Sequence, residues 1–361
     1  MERGLVAEID LQAVSHNFRV IRQITGDRPV IAVVKADAYG HGAVRVSERL
    51  VSDGAECLAV AFMDEARELR EAGITAPILV LFDPEVHEAF EYNVTPAVGT
   101  LKAAFDLSRE AEKRGRNINI HIKVDTGMGR LGFRGQVQHD ILAIAGLKGI
   151  TIEGVMSHFS DADVSDRSFA FSQIAAFNTL RMDLAAAGLR IPLYHLANSA
   201  AVAALPEAHC DAVRPGIMLY GCPDSTLPKL VPAMSATARI VALRKLPPGT
   251  PISYGRTFVT ERDSLIGVIS AGYADGFSRL FSNNASVLVR GQRAPVVGRV
   301  CMDVTMIDVT DIAGVSEKDD VVIMGRQGYE SISAAELAQW SGTIPYEVML
   351  SLGSRARRIY I

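Results

Sequence analysis

The sequence predicts an α/β protein in which an N-terminal (β/α)8 barrel of the TIM type is followed by a mainly β domain. Over the first two-thirds of the chain, eight short apolar runs alternate with helical segments, the pattern of parallel strands joined by crossover helices. From about residue 227, short β-rich runs separated by turn residues replace that alternation. We therefore place the barrel at residues 1–225 and the β domain at residues 226–361.

Each predicted barrel strand is a short apolar run, most of them rich in β-branched residues. The strands are expected at 31–35, 57–62, 78–82, 95–98, 118–125, 150–158, 194–198 and 213–220. Helices are expected at 43–51, 64–72, 101–114, 137–145 and 169–187, and Asp10 is placed to cap an earlier one. In the β domain, strands are expected at 236–243, 265–270, 286–289, 294–300, 304–308, 320–324 and 356–360, with one helix at 333–340.

Composition excludes several classes of protein. With 48% apolar and 22% charged residues, the 361-residue chain is an ordinary globular protein. A net charge of −4 gives no electrostatic reason to expect nucleic acid, and no apolar run reaches the roughly 18–20 residues that span a bilayer. The first residues do not form a signal peptide, so we expect a cytoplasmic protein. The four cysteines lack metal-ligand spacing, which predicts free thiols and no metal site.

Lys35 is the most informative residue, because it follows directly on the apolar run of the first predicted strand. Barrels place their chemistry at the carboxyl ends of strands. An amine held there against apolar walls loses hydration, its pKa falls, and it can act as a nucleophile or base. A lysine that merely extends into solvent would show the same position. The next residues include Tyr39, His41 and two glycines, and this crowded turn favours a functional site.

The segment 32–42, AVVKADAYGHG, resembles the cofactor-lysine motif of the alanine racemases, and the resemblance extends over nearly the whole chain. This family depends on pyridoxal 5′-phosphate. The resemblance implies that Lys35 forms an aldimine with the cofactor and that Tyr39 contacts its phosphate. It also implies that the protein interconverts L-alanine and D-alanine, supplying D-alanine for cell-wall peptidoglycan.

The segment 123–132, KVDTGMGRLG, supports two interpretations. It resembles the racemase segment in which Arg130 binds the substrate carboxylate and Lys123 is carbamylated to N6-carboxylysine. A planar guanidinium suits a carboxylate, and a carbamate anion would hold it still. The same segment fits G-x-G-x-x-G, with Glu153 at the distance of a ribose ligand, which indicates a nicotinamide dehydrogenase instead. The mid-chain position of the pattern weakens that alternative.

The remaining barrel matches concern the cofactor. The resemblance implies that His158 stacks on the pyridine ring and that Ser199, Gly216 and Ile217 hold the phosphate. It implies that Arg214 faces the pyridine nitrogen. Because an arginine cannot give up its proton, that nitrogen stays unprotonated, which favours racemisation over transamination.

The β domain supplies the second half of the implied site. The segment 251–258 resembles the one that carries the catalytic tyrosine, here Tyr254, which would work on the face of Cα opposite Lys35. Tyr273 and Tyr346 match tyrosines that narrow the substrate entrance, and Tyr346 also borders the cofactor. Met302 and Asp303 match residues that contact substrate across the subunit interface of a homodimer.

Two other classes of pyridoxal protein on similar barrels are alternatives to a racemase. A non-catalytic pyridoxal carrier has the lysine but lacks the β domain, so residues 227–361 argue against it. A barrel decarboxylase would place a β segment ahead of a longer barrel half and would lack the pairing made by Arg214.

Overall fold

The computed structural model describes residues 4–82, 85–222 and 230–361. Its first unit is a curled parallel sheet of seven strands that neighbour one another in chain order. Most of their residues are buried, as a parallel sheet covered on both faces requires. The strands are Ile31–Val33, Cys57–Val60, Ile78–Val80, Thr95–Val98, Ile118–Lys123, Ile150–Met156 and Leu193–His195.

Helices alternate with these strands, so the predicted fold class is confirmed. The helix before the first barrel strand, Leu11–Thr25, begins at the predicted cap, where the Asp10 carboxylate accepts the amides of Gln12 and Ala13 at 2.8 and 3.0 Å. The later helices of this unit are Ala43–Ser52, Met63–Glu71, Val86–Glu91, Leu101–Arg114, Val137–Ala145, Ser168–Ala186 and Ser199–Ala204. No helix among the described residues is long and apolar enough to cross a membrane.

The strand predicted at 213–220 differs from the structure. Ile217–Tyr220 is a 3₁₀ helix, and the eighth position of the ring is filled only by a short extended segment. Val213 accepts the amide of Ile31 at 2.9 Å, and the amide of Arg214 donates to Ala197 at 2.9 Å. Together with isolated bridges from Val213 to Val30 and from Ala212 to His195, these bonds close the barrel. A longer strand is prevented because residue 215 is a proline, which has no amide to donate.

The second unit is a nine-stranded sheet that packs beside the barrel. Eight of its strands come from the end of the chain: Met234–Leu246, Ser264–Ile269, Ser286–Val289, Gln292–Pro295, Thr305–Asp308, Asp320–Gln327, Glu330–Ile332 and Arg357–Tyr360. A separate ribbon pairs Pro251–Ile252 with Phe258–Val259. Two helices, Ala334–Ser341 and Pro345–Arg355, complete the unit.

The ninth strand of that sheet comes from the start of the chain. Val6–Ile9 pairs antiparallel with Met234–Leu246 and parallel with Arg357–Tyr360. The first residues therefore join the β unit, although the prediction assigned all of residues 1–225 to the barrel. The predicted boundary at residue 225 lies outside the described residues.

The two units touch where the barrel chain leaves Lys35. A Cβ on Gly353, in the helix Pro345–Arg355, would lie only 2.2 Å from the carbonyl oxygen of Gly40. Gly40 itself has a φ of +83°, and a Cβ there would lie 2.8 Å from the carbonyl oxygen of Met349. Only glycines allow this approach. It fixes the start of the helix, which carries Tyr346, over the carboxyl end of the barrel.

Candidate active site

A cavity opens at the carboxyl ends of the barrel strands, the usual place for barrel chemistry. The predicted site residues that line it are Lys35, Tyr39, Lys123, Arg130, His158, Ser199, Arg214, Gly216, Ile217 and Tyr346. The sequence did not single out the other lining residues, Val33, Leu81, Phe82, Met156 and Asn198. One chain thus brings together every barrel residue that was predicted to bind the cofactor or the substrate carboxylate.

The turn after Lys35 has a strained backbone. Residues 36–39 all have φ between 52° and 54°, a left-handed conformation that costs roughly 1–2 kcal/mol for each residue that is not glycine. Two carboxylates hold the turn in place. Glu65 accepts the amide of Ala36, and Asp37 accepts the amide of Ala43 at 2.7 Å. This turn directs Lys35 and Tyr39 into the same cavity, and strain of this kind is concentrated at functional sites.

The Lys35 amine lies in an environment that favours its uncharged form. Burial lowers its pKa most, the nearby Arg130 guanidinium lowers it further, and the Glu65 carboxylate opposes both. Its Nζ lies 5.7 Å from the ring centroid of Phe82. A lysine with a depressed pKa is a better nucleophile and base at neutral pH.

Lys123 is a second amine in the same cavity. Its side chain is buried, and Nζ donates to the carbonyl of Leu81 at 3.1 Å. Burial, followed by the charges of Arg130, Arg214 and Lys35, lowers its pKa to about 7. A large share of Lys123 is therefore an uncharged, nucleophilic amine at neutral pH.

The Phe82 ring faces two lysine amines and one guanidinium at once. Its ring centroid lies 4.3 Å from Nζ of Lys123, 5.7 Å from Nζ of Lys35 and 5.4 Å from Cζ of Arg130. An aromatic face attracts cations that could not otherwise share so small a space. The sequence signal for Phe82 was its place as the last residue of the predicted strand 78–82, the same kind of position that identified Lys35.

Arg214 forms the floor of the cavity. Its buried guanidinium donates to His195 Nδ1 at 2.6 Å and to the carbonyls of His195 and Leu196 at 2.7 and 3.2 Å, and it also donates to the carbonyl of Ser157. Burial lowers its pKa to about 10, which still leaves it charged at neutral pH. All four bonds come from the two terminal nitrogens. They fix the plane of the guanidinium at the cavity floor.

His158 presents an uncharged ring to the cavity. It follows the strand Ile150–Met156, and its carbonyl accepts a hydrogen bond from the Gln173 amide group at 3.1 Å. Burial first, and then the surrounding cations with Arg214 foremost, lower its pKa to about 3. A neutral imidazole can pack flat against an aromatic ligand ring.

The opposite end of the cavity is a cradle of hydrogen-bonding groups. The hydroxyl of Ser199 accepts the amides of Gly216 and Met218 at 2.9 and 3.3 Å. A Cβ on Gly216 would lie 2.3 Å from the hydroxyl oxygen of Tyr39, so only glycine fits there. Two hydroxyls, those of Tyr39 and Ser199, thus meet at Gly216, and hydroxyl donors at such a site suit a phosphate group.

Apart from Tyr346, the predicted residues of the β unit do not line this cavity. We name Tyr254, Tyr273, Met302 and Asp303 the exposed tyrosine patch. Tyr254 is 70% exposed, Met302 54% and Tyr273 43%. Hydrogen bonds join their segments: the amide of Tyr273 donates to the carbonyl of Cys301 at 3.0 Å, and the Ser253 hydroxyl donates to the carbonyl of Arg299 at 2.6 Å. The patch is thus one surface, separate from the cavity of its own chain.

The glycine pattern at 127–132 is not a dinucleotide-binding turn. The Asp125 carboxylate already accepts the amides of Gly127 and Gly129, each at 3.0 Å. The next helix, Val137–Ala145, begins only after the glycines have ended. No helix N-terminus therefore faces a pyrophosphate here. Within the described ranges, no group of three His, Cys, Asp or Glu side chains could hold a metal ion.

Two family models account for nearly the whole chain. The alanine racemase N-terminal domain matches residues 9–224, and the alanine racemase C-terminal domain matches residues 233–360. A barrel with a strand-end lysine, followed by such a domain, defines an isomerase of the amino-acid racemase class. The chain belongs to the alanine racemase family. The resemblance inferred from the motifs is confirmed, and the match to both domains leaves no support for a carrier that has the barrel alone.

Individual relatives are similar to this chain over 96–100% of their own length. An alanine racemase from Thermodesulfovibrio yellowstonii is 50% identical, with 100% of this chain and 99% of the relative covered. The structure of alanine racemase from Bacillus anthracis with bound L-Ala-P has a TM-score of 0.91 at 36% identity, covering 100% and 96% of the two chains. That from Bartonella henselae, with covalently bound pyridoxal phosphate, has a TM-score of 0.90 at 29% identity and covers 100% of both.

Proposed function

We propose that this protein binds pyridoxal 5′-phosphate in the barrel cavity and interconverts L-alanine and D-alanine. The observation that carries the proposal is the convergence of a lysine of lowered pKa, a buried arginine and a phosphate-type cradle in one cavity. A related enzyme of the same fold holds this cofactor covalently.

The residues present fit the cofactor. Tyr39, Ser199, Gly216 and Ile217 would hold the phosphate, because all four line the cavity and the hydroxyls of Tyr39 and Ser199 meet at Gly216. Arg214 would face the ring nitrogen from the floor, and His158 would pack on the ring. The cofactor supplies a carbonyl that joins to an amine and a ring that withdraws electrons, which together make the substrate Cα–H acidic.

Racemisation then needs a proton moved on each face of Cα. Lys35 serves one face, because its burial beside Arg130 favours the free amine. Tyr254 serves the other face. Since Tyr254 is exposed and outside the cavity of its own chain, we propose that a second copy of the chain delivers it. The functional form is therefore a homodimer with shared sites.

Substrate recognition falls to the cations around Phe82. Arg130 would pair with the substrate carboxylate through its planar guanidinium. Carbamylation of Lys123 joins its uncharged amine to CO2 and releases one proton, which turns a neutral group into an anion beside Arg130. Met302 and Asp303 of the second chain would complete the substrate contacts. Tyr346, whose ring lies 5.8 Å from that of Tyr39, and Tyr273 would narrow the entrance.

Arg214 determines which reaction the cofactor favours. Its guanidinium keeps its charge at neutral pH and has no proton acceptor to offer. A ring nitrogen held beside Arg214 would find a donor and no acceptor, so the bound cofactor would supply weaker electron withdrawal than one with a protonated nitrogen. This favours racemisation over transamination. A role in supplying D-alanine for peptidoglycan, a cytoplasmic location and the lack of a nucleic-acid or membrane partner stay predictions from the sequence.

The test is a spectrum followed by an assay. Purified protein supplied with pyridoxal phosphate is expected to show a near-visible absorption band that borohydride abolishes, with the label recovered on the peptide that contains Lys35. The same preparation should convert either alanine enantiomer to the racemate. Tight binding of NAD with no racemisation would refute the proposal in favour of the dehydrogenase alternative.

A further inference from the structure

A line of polar side chains runs from Arg214 through the interior of the barrel. Arg214 contacts His195 Nδ1 at 2.6 Å, and His195 Nε2 lies 2.7 Å from Nδ1 of His121. On its other side, His121 Nε2 lies 3.6 Å from a carboxylate oxygen of Glu153. Both imidazoles are buried, whereas the Glu153 side chain is 42% exposed. The line thus connects the floor of the cavity to a carboxylate that meets solvent.

The arginine dictates where every proton in this line sits. A guanidinium only donates, so His195 Nδ1 must accept and its proton must be on Nε2. That Nε2–H then donates to His121 Nδ1, which in turn must accept. The proton of His121 is therefore on Nε2, directed at Glu153. All donors point one way, from Arg214 to His195, His121 and the carboxylate.

The same geometry forbids a charged imidazole. A protonated His121 would donate from Nδ1, so His195 Nε2 would have to accept and its proton would move to Nδ1. That proton would then face the Arg214 N–H at 2.6 Å, donor against donor. Burial acts in the same direction, because it lowers the pKa of His195, and the charge of Arg214 lowers that pKa further. Two neutral rings leave the guanidinium as the one cation in the line.

The neighbouring strand is shaped around His121. Pairing between Ile118–Lys123 and Ile150–Met156 shifts register at this point: Ile120 pairs with Ile152, but His121 pairs with Gly154. Glu153 is the extra residue of this bulge, and bulges commonly redirect a side chain. A Cβ on Gly154 would lie 2.8 Å from Cε1 of the His121 ring. The strand thus leaves room for the imidazole and supplies its carboxylate within two consecutive residues.

We propose that Glu153 and His121 are positioning residues that act through His195 to fix Arg214 at the cavity floor. Arg214 sets the tautomers from one end of the line, and at the other end the Glu153 carboxylate, 3.6 Å from His121 Nε2, attracts the last N–H. The consequence for the cofactor rests on the function proposed above: a well-held Arg214 keeps the ring nitrogen unprotonated. The positions of the protons do not depend on that function.

Four variants distinguish a positioning role of His121 and Glu153 from the effect of a change in charge alone. His121→Leu removes the acceptor for His195. Glu153→Gln keeps an acceptor for His121, whereas Glu153→Lys offers only donors at a half-exposed position. Glu112→Lys is the matched control, because Glu112 is 50% exposed, lies 3.7 Å from Lys148 and makes the same change of charge outside the line.

The first readout is isotope-edited nitrogen NMR of the histidines in the cofactor-free full-length protein. Wild type and Glu153→Gln should show His195 protonated on Nε2 only. His121→Leu and Glu153→Lys should shift or broaden those signals, and Glu112→Lys should not. The second readout is the ratio of transamination to racemisation in the holoenzyme. It should rise about tenfold in His121→Leu, the effect of losing one hydrogen bond that supports a charged group, and less in Glu153→Lys.

The proposal is overturned if Glu153→Lys leaves the His195 signals unchanged, or if Glu112→Lys changes them equally. Because Glu153 is near the surface, this arm decides the matter even if His121→Leu does not fold. If wild-type protein fails to racemise alanine, the proposed function fails, and the NMR measurement still tests the proton positions by itself.

Discussion

The barrel cavity and the exposed tyrosine patch are built in opposite ways. In the cavity, burial and neighbouring cations lower the pKa values of Lys35 and Lys123, so the chemistry is prepared within one chain. In the patch, Tyr254 and Met302 are mostly exposed and lie on a turn and a loop of the β unit.

Because of this difference, one chain contains a prepared cavity and, separately, an exposed surface that carries Tyr254. The turn that carries Tyr254 is nevertheless well defined. Ser253, Gly255 and Arg256 have φ of 62°, 71° and 52°, and a Cβ on Gly298 would lie 2.8 Å from Cβ of Ser253. A strained, closely packed turn that displays a tyrosine to solvent is typical of a binding surface. It supports the proposal that the patch covers the cavity of a second copy.

The largest expected effect is on the cavity side. Lys35→Ala should abolish the borohydride-sensitive band and lower racemisation by at least about 10⁴-fold, because it removes both the cofactor link and one base. Racemisation is measured by the optical rotation of alanine. Lys102→Ala is the control, since Lys102 is 87% exposed and paired with Asp106 on an outer helix. Normal activity in Lys35→Ala would contradict the proposed site.

The next effect tests the patch. Tyr254→Phe should lower racemisation by about 10²–10⁴-fold, the usual contribution of a proton-transferring group. We expect Tyr254 to abstract the proton of L-alanine and Lys35 that of D-alanine. Exchange of the Cα hydrogen with deuterated solvent should therefore persist in part for D-alanine and be lost far more severely for L-alanine.

Mixing the two inactive variants tests whether the cavity of one chain and the patch of another form one site. A mixed dimer of Lys35→Ala and Tyr254→Phe chains has one site with both residues intact, so activity should return after subunit exchange. Mixed dimers that form but stay inactive would show that both residues act within one chain, or that Tyr254 is not the second base.

A smaller effect is expected from changing the cavity floor. Arg214→Glu places a carboxylate beside the ring nitrogen, which should protonate it and make the carbanion longer-lived. Racemisation should slow by about 10²-fold, a new long-wavelength absorbance should appear, and transamination should increase. Arg181→Glu is a suitable comparison, because Arg181 pairs with Asp211 at 2.9 Å outside the cavity. An unchanged spectrum and side-reaction rate in Arg214→Glu would refute the electronic role.

The sequence predicted the parts of this molecule that depend on local pattern. Seven barrel strands follow from apolar runs. Lys35 was recognised because it follows such a run, whereas His158 was identified through the resemblance to the family. The strand predicted at 213–220 was wrong beyond its first residues because an apolar run alone does not distinguish a strand from a buried 3₁₀ helix. The strand Val6–Ile9 joined the distant sheet, a pairing that no local pattern can reveal.

The site also has features that local sequence predicts and features that only the fold determines. Strand-end residues were predictable one by one, but the contacts that prepare them come from distant parts of the chain. Glu65, which holds the turn after Lys35, belongs to another helix, and Phe82 meets its three cations only in the folded barrel. The αL conformation of residues 36–39 could not be foreseen either, because three of the four side chains rarely adopt it.

The smallest expected effect concerns Lys123 and tests whether its amine in the cavity is carbamylated. Below its pKa of about 7 the group is an ammonium, which cannot attack CO2, and above it the free amine can. At a fixed concentration of dissolved CO2, carbamate occupancy should therefore rise as pH increases through 7, as a signal in carbon NMR with labelled CO2. Lys123→Ala should remove that signal and lower activity about tenfold by freeing Arg130, and acetate should restore part of the activity. A Lys123→Ala variant of full activity, or no labelled signal above pH 7, would mean that Lys123 stays an amine and that Phe82 alone orders Arg130.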